Sequence, residues 1–102
     1  MRTLPPQALE DVIHGKVDVV FNGHVHAYER SEPVYHDKVT PASEGGITYI
    51  TIGDGGNREG YAEPWVTPQP AWSALREFAY GFGELEVGKC VLVRMLRECM
   101  YE

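Results

Sequence analysis

A short apolar run that ends in a glycine and two histidines constrains the fold of this chain most strongly. Residues 17–21 read Val-Asp-Val-Val-Phe, and Gly15 and Gly23 bound the run on either side. A nearly continuous apolar segment of this length is typical of a strand that is covered on both faces. In an α/β sheet, the polar residues that follow such a strand emerge at its carboxyl end, where functional sites are found. The run therefore predicts an α/β or α/β/α sheet with a site just beyond residue 22.

The segment before this strand predicts a short helix. Residues 5–14 begin with two prolines, which suit a first helical turn, and a glycine follows at the end. Leu9, Val12 and Ile13 have the spacing of one buried helix face. Four later segments have recognisable patterns: extended structure at 27–34, a strand at 47–52, one or two helical turns at 71–77 and a last strand at 80–87.

Composition excludes several other classes of protein. The chain has 102 residues, with 11 glycines and 7 prolines that lie mostly between residues 41 and 83, so it is not a bundle of long helices. Nine Lys and Arg stand against fifteen Asp and Glu, and the net charge of −6 gives no support to nucleic-acid binding. No apolar run approaches the ~18 residues of a membrane span, and the start of the chain lacks the apolar stretch of a signal peptide. Cys90 and Cys99 match neither a zinc spacing nor a CxxC motif.

His24 and His26 are the candidate metal ligands. Neutral imidazole binds Zn, Fe and Mn, and side chains two residues apart on extended backbone face the same side. Gly23 allows a sharp turn at the end of the strand. An isolated His-x-His is explained as well by ordinary polar loop residues, but the buried strand and the glycine before it favour metal ligation.

Residues 17–31, with the sequence VDVVFNGHVHAYERS, closely resemble the last metal-ligand block of the purple acid phosphatases, which are calcineurin-like metallophosphoesterases. The resemblance continues in YITIGDGGN at residues 49–57 and covers roughly residues 8–87. GHVH alone indicates only the superfamily, whereas AYER and GDGGN together specify the phosphatases. The resemblance implies that residues 1–87 are the C-terminal segment of the catalytic domain, an incomplete part of a metallophosphoesterase α/β/α sandwich. Residues 88–102 depart from the family pattern, and their sequence suits either strand or helix.

The resemblance also implies a chemistry. His24 corresponds to a ligand of the divalent metal and His26 to a ligand of the ferric ion, in a dinuclear Fe(III)–M(II) centre where M is Zn, Fe or Mn. The family hydrolyses phosphate monoesters at acidic pH. Its other ligands and its catalytic acid and base histidines belong to blocks upstream of Pro5, so no catalytic residue is assigned here and the isolated chain is expected to be inactive. The residues expected to surround and orient the ligands are Tyr28, Glu29, Arg30, Asp54 and Asn57.

Direct metal ligation by Asp54 or Asn57 is not expected. Their segment shares Gly-Asp with the family's bridging-aspartate block, but Asn57 stands where that block has tyrosine. Two other functions stay open: a non-catalytic metal-binding module, and a metallophosphoesterase that acts on diesters or nucleotides, which AYER and GDGGN disfavour. By resemblance the parent protein is expected to be secreted or vacuolar, and a homodimer is compatible with it.

Overall fold

The computed structural model describes residues 4–62, 64–87 and 91–97, with the backbone alone for residues 87 and 91–97. A helix, α1, spans Gln7–Ile13, and a short 3-10 helix spans Ala42–Glu44. The strands are β1 (Val19–Asn22), β2 (Tyr28–Ser31), β3 (Val34–Tyr35), β4 (Lys38–Val39), β5 (Thr48–Ile52), β6 (Ser73–Glu77), β7 (Gly81–Val87) and β8 (Val91–Arg97).

The central feature of the fold is a mixed sheet in the order β1-β5-β2-β6. Strand β1 pairs with β5 in parallel, whereas β2 runs antiparallel to both β5 and β6. The carboxyl ends of β1, β5 and β6 therefore meet at one edge of the sheet, together with the start of β2. This arrangement confirms the predicted α/β class and places the loops after β1, β5 and β6 side by side.

Side-chain hydrogen bonds join the strands in addition to the backbone ladder. The Thr51 hydroxyl donates to Asn22 Oδ1 at 2.8 Å and so joins β5 to β1. The Ser31 hydroxyl oxygen accepts the backbone N–H of Tyr49 at 2.8 Å, within the buried interior. Because a buried polar group without a partner is costly, these bonds allow hydroxyl and amide side chains inside the sheet.

The hydrophobic core lies on the side of the sheet that faces α1. Its buried members are Leu4, Val34, Ile47 and Tyr49, and half-buried Ile13 packs against them. Val34 and Ile47 exchange backbone hydrogen bonds of 3.0 Å, so the entrance to β3 is joined to the entrance to β5. The core therefore anchors the amino-terminal end of β5, opposite the edge that carries the histidines.

The predicted helix at residues 5–14 is confirmed as α1, but its predicted buried face is wrong. Leu9 and Val12 are exposed, whereas Glu10 is fully buried. The Glu10 carboxylate accepts the backbone N–H of His36 at 3.1 Å. The helix is thus oriented by a polar contact with the β3–β4 hairpin, which apolar spacing could not reveal.

The predicted strand at residues 17–21 forms as β1, shifted to Val19–Asn22. The expectation that it is covered on both faces is wrong for the part of the chain that the structure describes. Strand β1 is one of the two outer strands of the four-stranded sheet, and Phe21 is 44% exposed. The strand is apolar enough to be buried on both faces, but the described residues cover it only in part.

The helical turns expected at residues 71–77 are also wrong, because Ser73–Glu77 forms β6. Its register with β2 pairs Glu77 with Tyr28 and Arg76 with Glu29. The Ser73 hydroxyl donates to the buried Glu29 carboxylate at 2.7 Å. Pairing with β2 outweighs the weak local preference of Ala74, Leu75 and Arg76 for helix, as tertiary context often does.

The other segments agree with their patterns. The extended segment at 27–34 divides into β2 and the first residue of β3, and the strands expected at 47–52 and 80–87 form as β5 and β7. The ambiguous tail is a strand at Val91–Arg97, which pairs antiparallel with β7. Cys90 and Cys99 lie outside the described residues. No helix in the described part of the chain is both long enough and apolar enough to cross a membrane.

His14 and His36 lie away from the histidine pair, at the contact between α1 and the β3–β4 hairpin. The Tyr35 ring stacks between the two imidazoles, with ring centroids 3.9 Å from His14 and 4.0 Å from His36. Both His36 and Asp37 have positive φ, as a two-residue hairpin turn of type I′ requires. His14 and His36 therefore take part in the contact between α1 and the β3–β4 hairpin and lie apart from the candidate metal ligands.

Replacing Ile47 by alanine is expected to lower the free energy of unfolding by about 2–5 kcal/mol, because it removes a fully buried side chain from the core. Val39→Ala is the matched control, since that side chain is 54% exposed, and we expect a change below about 0.5 kcal/mol. Urea denaturation followed by circular dichroism measures both. Equal effects of the two substitutions would contradict this description of the core.

Candidate metal centre

Residues 23–27, here called the histidine loop, connect β1 to β2. These two strands do not pair with each other, because β5 lies between them. The connection must therefore cross the carboxyl end of β5, where the chain continues into Gly53. This crossing places His24 and His26 at the edge where the carboxyl ends of β1, β5 and β6 converge.

The histidine loop consists of two consecutive three-residue turns. The N–H of Val25 donates to the carbonyl of Gly23 at 2.8 Å, and the N–H of Ala27 donates to the carbonyl of Val25 at 2.8 Å. His24 and His26 are the central residues of these turns, and His24 has a φ of 71°. A γ-turn with positive φ is rare and strained in L-residues. The expectation that His24 and His26 lie on extended backbone, with both side chains facing the same side, is therefore wrong. The two turns determine the orientation of the imidazoles instead.

The backbone of Gly53 contacts the histidine loop directly. Its N–H donates to the carbonyl of Ala27 at 3.2 Å. A Cβ atom at this position would collide with the carbonyl oxygen of Val25 and would lie 3.5 Å from the backbone nitrogen of His24. The first glycine of GDGGN is therefore required by the close approach of two backbones.

The two imidazoles have different surroundings. The histidine at position 24 is exposed, whereas His26 is half-buried. Nδ1 of His26 lies 3.2 Å from the carbonyl oxygen of Gly60 and 4.0 Å from Oε2 of Glu59. The backbone carbonyl of His26 accepts the N–H of Ala62 at 3.1 Å. Residues 53–62, here called the glycine loop, thus contact His26 through both its ring and its main chain.

Asp54 is the second residue of this loop and is buried, with only 1% of its surface exposed. Neither of its carboxylate oxygens has a hydrogen-bond partner among the described residues. Burial raises the pKa of Asp54 above its ordinary value of 3.8, and the negative charge of Glu77 acts in the same direction. Its backbone carbonyl accepts the N–H of Gly81 at 2.8 Å and so joins the glycine loop to β7.

The residues expected to surround the ligands occupy several places. Tyr28 and Glu29 are buried in β2, and Arg30 next to them is half-buried. Burial raises the pKa of the Tyr28 hydroxyl above 10.0. Asn57 is in the glycine loop, where its Oδ1 accepts the N–H of Glu59 at 2.6 Å. Asn57 thus lies in the loop that contacts His26. Tyr28, Glu29 and Arg30 lie in β2, which begins two residues after His26.

Sequence reasoning did not identify Glu59, Gly60 and Ala62 as neighbours of His26. One local signal was available, because an asparagine side chain often accepts the backbone N–H two residues later, and here a glycine follows at position 60. The contact itself spans 34 positions in the sequence, and nothing local marks it.

An aromatic cluster packs next to the glycine loop. The ring of Tyr61 lies 4.8 Å from that of Tyr80, and the ring of Trp65 lies 4.6 Å from that of Phe78. Arg76 lies over the Trp65 ring at 5.3 Å. These rings contact one another, which agrees with a packing role and gives the loop an apolar support.

The donor chemistry at this edge fits part of a metal site. Imidazole suits first-row metals such as Zn and Fe, and His24 and His26 bring two imidazoles into one loop. Within residues 4–62, 64–87 and 91–97, no group of three or more His, Cys, Asp or Glu residues could hold a metal ion. The described residues can therefore supply two ligands and do not complete the coordination of a metal.

Comparisons with known proteins show which family this chain is similar to. A family model described as "Iron/zinc purple acid phosphatase-like protein C" matches residues 46–90. Purple acid phosphatase 18 of Arabidopsis thaliana is 54% identical over 71 residues, which are 70% of this chain and 16% of the relative. Fe(3+)-Zn(2+) purple acid phosphatase 12 of the same plant is 52% identical over 80 residues, 71% of this chain and 17% of the relative.

A solved structure shows the same fold. Purple acid phosphatase PPD1 from yellow lupin (Lupinus luteus) seeds superposes with a TM-score of 0.66 at 29% identity. The match covers 76% of this chain and 14% of the lupin chain. The chain thus spans less than a fifth of the length of each of these relatives.

Gly53→Ala is expected to destabilise the chain by about 1–3 kcal/mol, because the added methyl group forces the Val25 carbonyl to move. Gly55→Ala is the matched control two residues away, where an added Cβ has open space. Thermal unfolding compares the two variants. If Gly55→Ala lowers the melting temperature as much as Gly53→Ala, the close approach at Gly53 is not the cause.

Asp54→Asn is expected to raise the free energy of unfolding at neutral pH by about 1–3 kcal/mol, because it removes a buried charge whose oxygens have no hydrogen-bond partner among the described residues. The folded-state pKa of Asp54 lies above 3.8, so its ionisation lowers stability as pH rises from 3.8 through that raised value. The difference between the two proteins should therefore vanish below pH 3.8. Urea titrations at neutral and acidic pH measure this difference in the free energy of unfolding. An Asp54→Asn variant that is less stable than the unsubstituted chain at neutral pH would refute this account.

Proposed function

We propose that this chain, which belongs to the purple acid phosphatase family, contributes His24 and His26 as two ligands of a dinuclear metal centre that hydrolyses phosphate monoesters. The observation that carries the proposal is the pair of imidazoles in the histidine loop, held across the end of β5 by Gly53. The family relation supports it, since one relative is named an Fe(3+)-Zn(2+) purple acid phosphatase.

The proposed roles follow the family assignment. His24 binds the divalent metal and His26 binds the ferric ion, and the remaining ligands come from residues outside this chain. When bound, the metal pair polarises the phosphoryl oxygens of the substrate and activates water as the nucleophile. The acid and base histidines of the reaction are likewise supplied from outside this chain.

The chain's own contribution is to hold the two rings in place. The paired turns fix the backbone at His24 and His26, and the hydrogen bond from Ala62 fixes the main chain of His26. The His26 ring is held further by the carbonyl of Gly60, 3.2 Å from its Nδ1, so its position is restricted before a metal binds. Such preorganisation lowers the cost of assembling a metal site.

The second candidate function is that the chain acts alone as a non-catalytic module that binds metal weakly through His24 and His26. The lack of a three-ligand cluster among the described residues is in keeping with the absence of catalysis by such a module. Both functions predict that the isolated chain does not hydrolyse p-nitrophenyl phosphate, so the chimera described below separates them. Turnover that depends on His24 and His26 in the chimera would exclude the module function.

Metal binding by the isolated chain tests the ligand assignment. His24→Ala/His26→Ala is expected to abolish Zn²⁺ binding measured by isothermal titration calorimetry. The matched control is His14→Ala/His36→Ala, which removes the same number of imidazoles from the α1–hairpin contact and should keep the binding. If the two double variants bind Zn²⁺ equally, His24 and His26 are not the ligands.

Catalysis needs the complete site and is tested in a chimera. Residues 8–87 would replace the matching segment of yellow lupin purple acid phosphatase, with p-nitrophenyl phosphate as the substrate. Loss of an outer partner of a metal ligand costs about 10–100-fold, so His24→Ala or His26→Ala should lower kcat/KM by at least that factor. Undiminished activity in either variant would refute the proposed function.

A further inference from the structure

The glycine loop contacts His26 at two points. The carbonyl oxygen of Gly60 lies 3.2 Å from Nδ1 of the His26 ring, and the N–H of Ala62 donates to the His26 carbonyl at 3.1 Å. One contact orients the ring and the other fixes the backbone that carries it. His26 is therefore positioned by residues that come 34 and 36 places later in the chain.

The contact with Gly60 determines which ring nitrogen carries the proton. A backbone carbonyl oxygen only accepts hydrogen bonds, so Nδ1 of His26 must be the donor. In the neutral ring this leaves the lone pair on Nε2, which then becomes the atom available to a metal. Free neutral histidine in water favours the opposite tautomer, with the proton on Nε2. The contact thus selects a tautomer that the side chain would not adopt predominantly on its own.

Asn57 shapes the turn that presents the Gly60 carbonyl. Its side-chain Oδ1 accepts the N–H of Glu59 at 2.6 Å, and Gly60 follows with a φ of 85°, which favours glycine. The Glu59 carboxylate is an inferior partner for the ring, because its nearest oxygen is 4.0 Å from Nδ1 and most of the side chain is exposed. The carbonyl held by Asn57, rather than this carboxylate, lies at hydrogen-bond distance from the ring.

We propose that Asn57 is a positioning residue for His26: its side chain holds the turn whose Gly60 carbonyl fixes the His26 ring as the Nδ1–H tautomer, so that Nε2 is the metal-binding atom. The importance of this contact for metal binding rests on the proposed function of His26. The tautomer itself does not, because it is a property of the metal-free chain.

The test is the ¹⁵N–¹H NMR spectrum of the histidine rings in the metal-free 102-residue chain, recorded at about pH 8.5, well above the range in which free imidazole takes up a proton. The expected result is a proton on Nδ1 of His26. Asn57→Ala should shift His26 towards the Nε2–H tautomer, whereas Asn57→Asp keeps the acceptor oxygen and should retain the Nδ1–H tautomer. Glu59→Gln should leave the tautomer unchanged.

A second pair of variants keeps the test decisive if Asn57→Ala disturbs the fold. Gly60→Ala and Gly56→Ala both place a side chain at positive φ in open space within the same loop. The first moves the carbonyl that contacts His26, and the second does not. Loss of the Nδ1–H tautomer in Gly60→Ala alone supports the proposal, and equal loss in both overturns it.

Zn²⁺ titration followed in the same spectra then separates the two proposals. We expect the signal of His26 Nε2 to respond to Zn²⁺, and Asn57→Ala to weaken apparent binding about 10-fold. A wild-type chain with the proton on Nε2 overturns the positioning role, even where Zn²⁺ binds to His26. A chain with the proton on Nδ1 that shows no Zn²⁺ response at His26 overturns the ligand role and with it the proposed function.

Discussion

The crossing of the histidine loop over the end of β5 is the constraint on which the rest of the site depends. Strands β1 and β2 flank β5, so their connection has to cross the backbone that leaves β5. The crossing is close enough that Gly53 has no room for a side chain under the Val25 carbonyl. The glycine loop begins at Gly53 and contacts His26 through the carbonyl of Gly60. The loop that positions His26 therefore starts at this close approach.

The site is held by backbone groups more than by charged side chains. The carbonyls of Gly60 and His26 and the N–H of Ala62 make the contacts around His26, while Asp54 is buried without a partner among the described residues. Strands β1 and β2 hold both ends of the histidine loop, and β5 holds the start of the glycine loop. A buried carboxylate with a raised pKa costs stability at neutral pH, and such local costs are typical of functional sites.

Local pattern was enough to place the strands that are continuous and apolar and to place the histidines at the end of one of them. It failed where a contact distant in sequence decides the outcome. Residues 73–77 became a strand because β2 was available for pairing, and Glu10 was buried because the hairpin supplied a donor. The roles of Gly53 and Gly60 could not be derived from spacing, since both depend on which strands become neighbours. The family resemblance identified GDGGN as a motif of the family but did not reveal that its first glycine, Gly53, contacts the backbone of the histidine loop.

The close approach at Gly53 also determines whether the GHVH motif can be grafted onto other proteins with its backbone shape preserved. A designer who copies GHVH onto the end of a different strand transfers the ligands without the shape of their backbone, because that shape is imposed by a segment distant in the chain. The portable unit is the two loops together, mounted on three neighbouring strands with a glycine at the crossing. A scaffold whose strands follow one another in sequence order would lack this crossing, and GHVH grafted there would be an ordinary flexible pair of histidines.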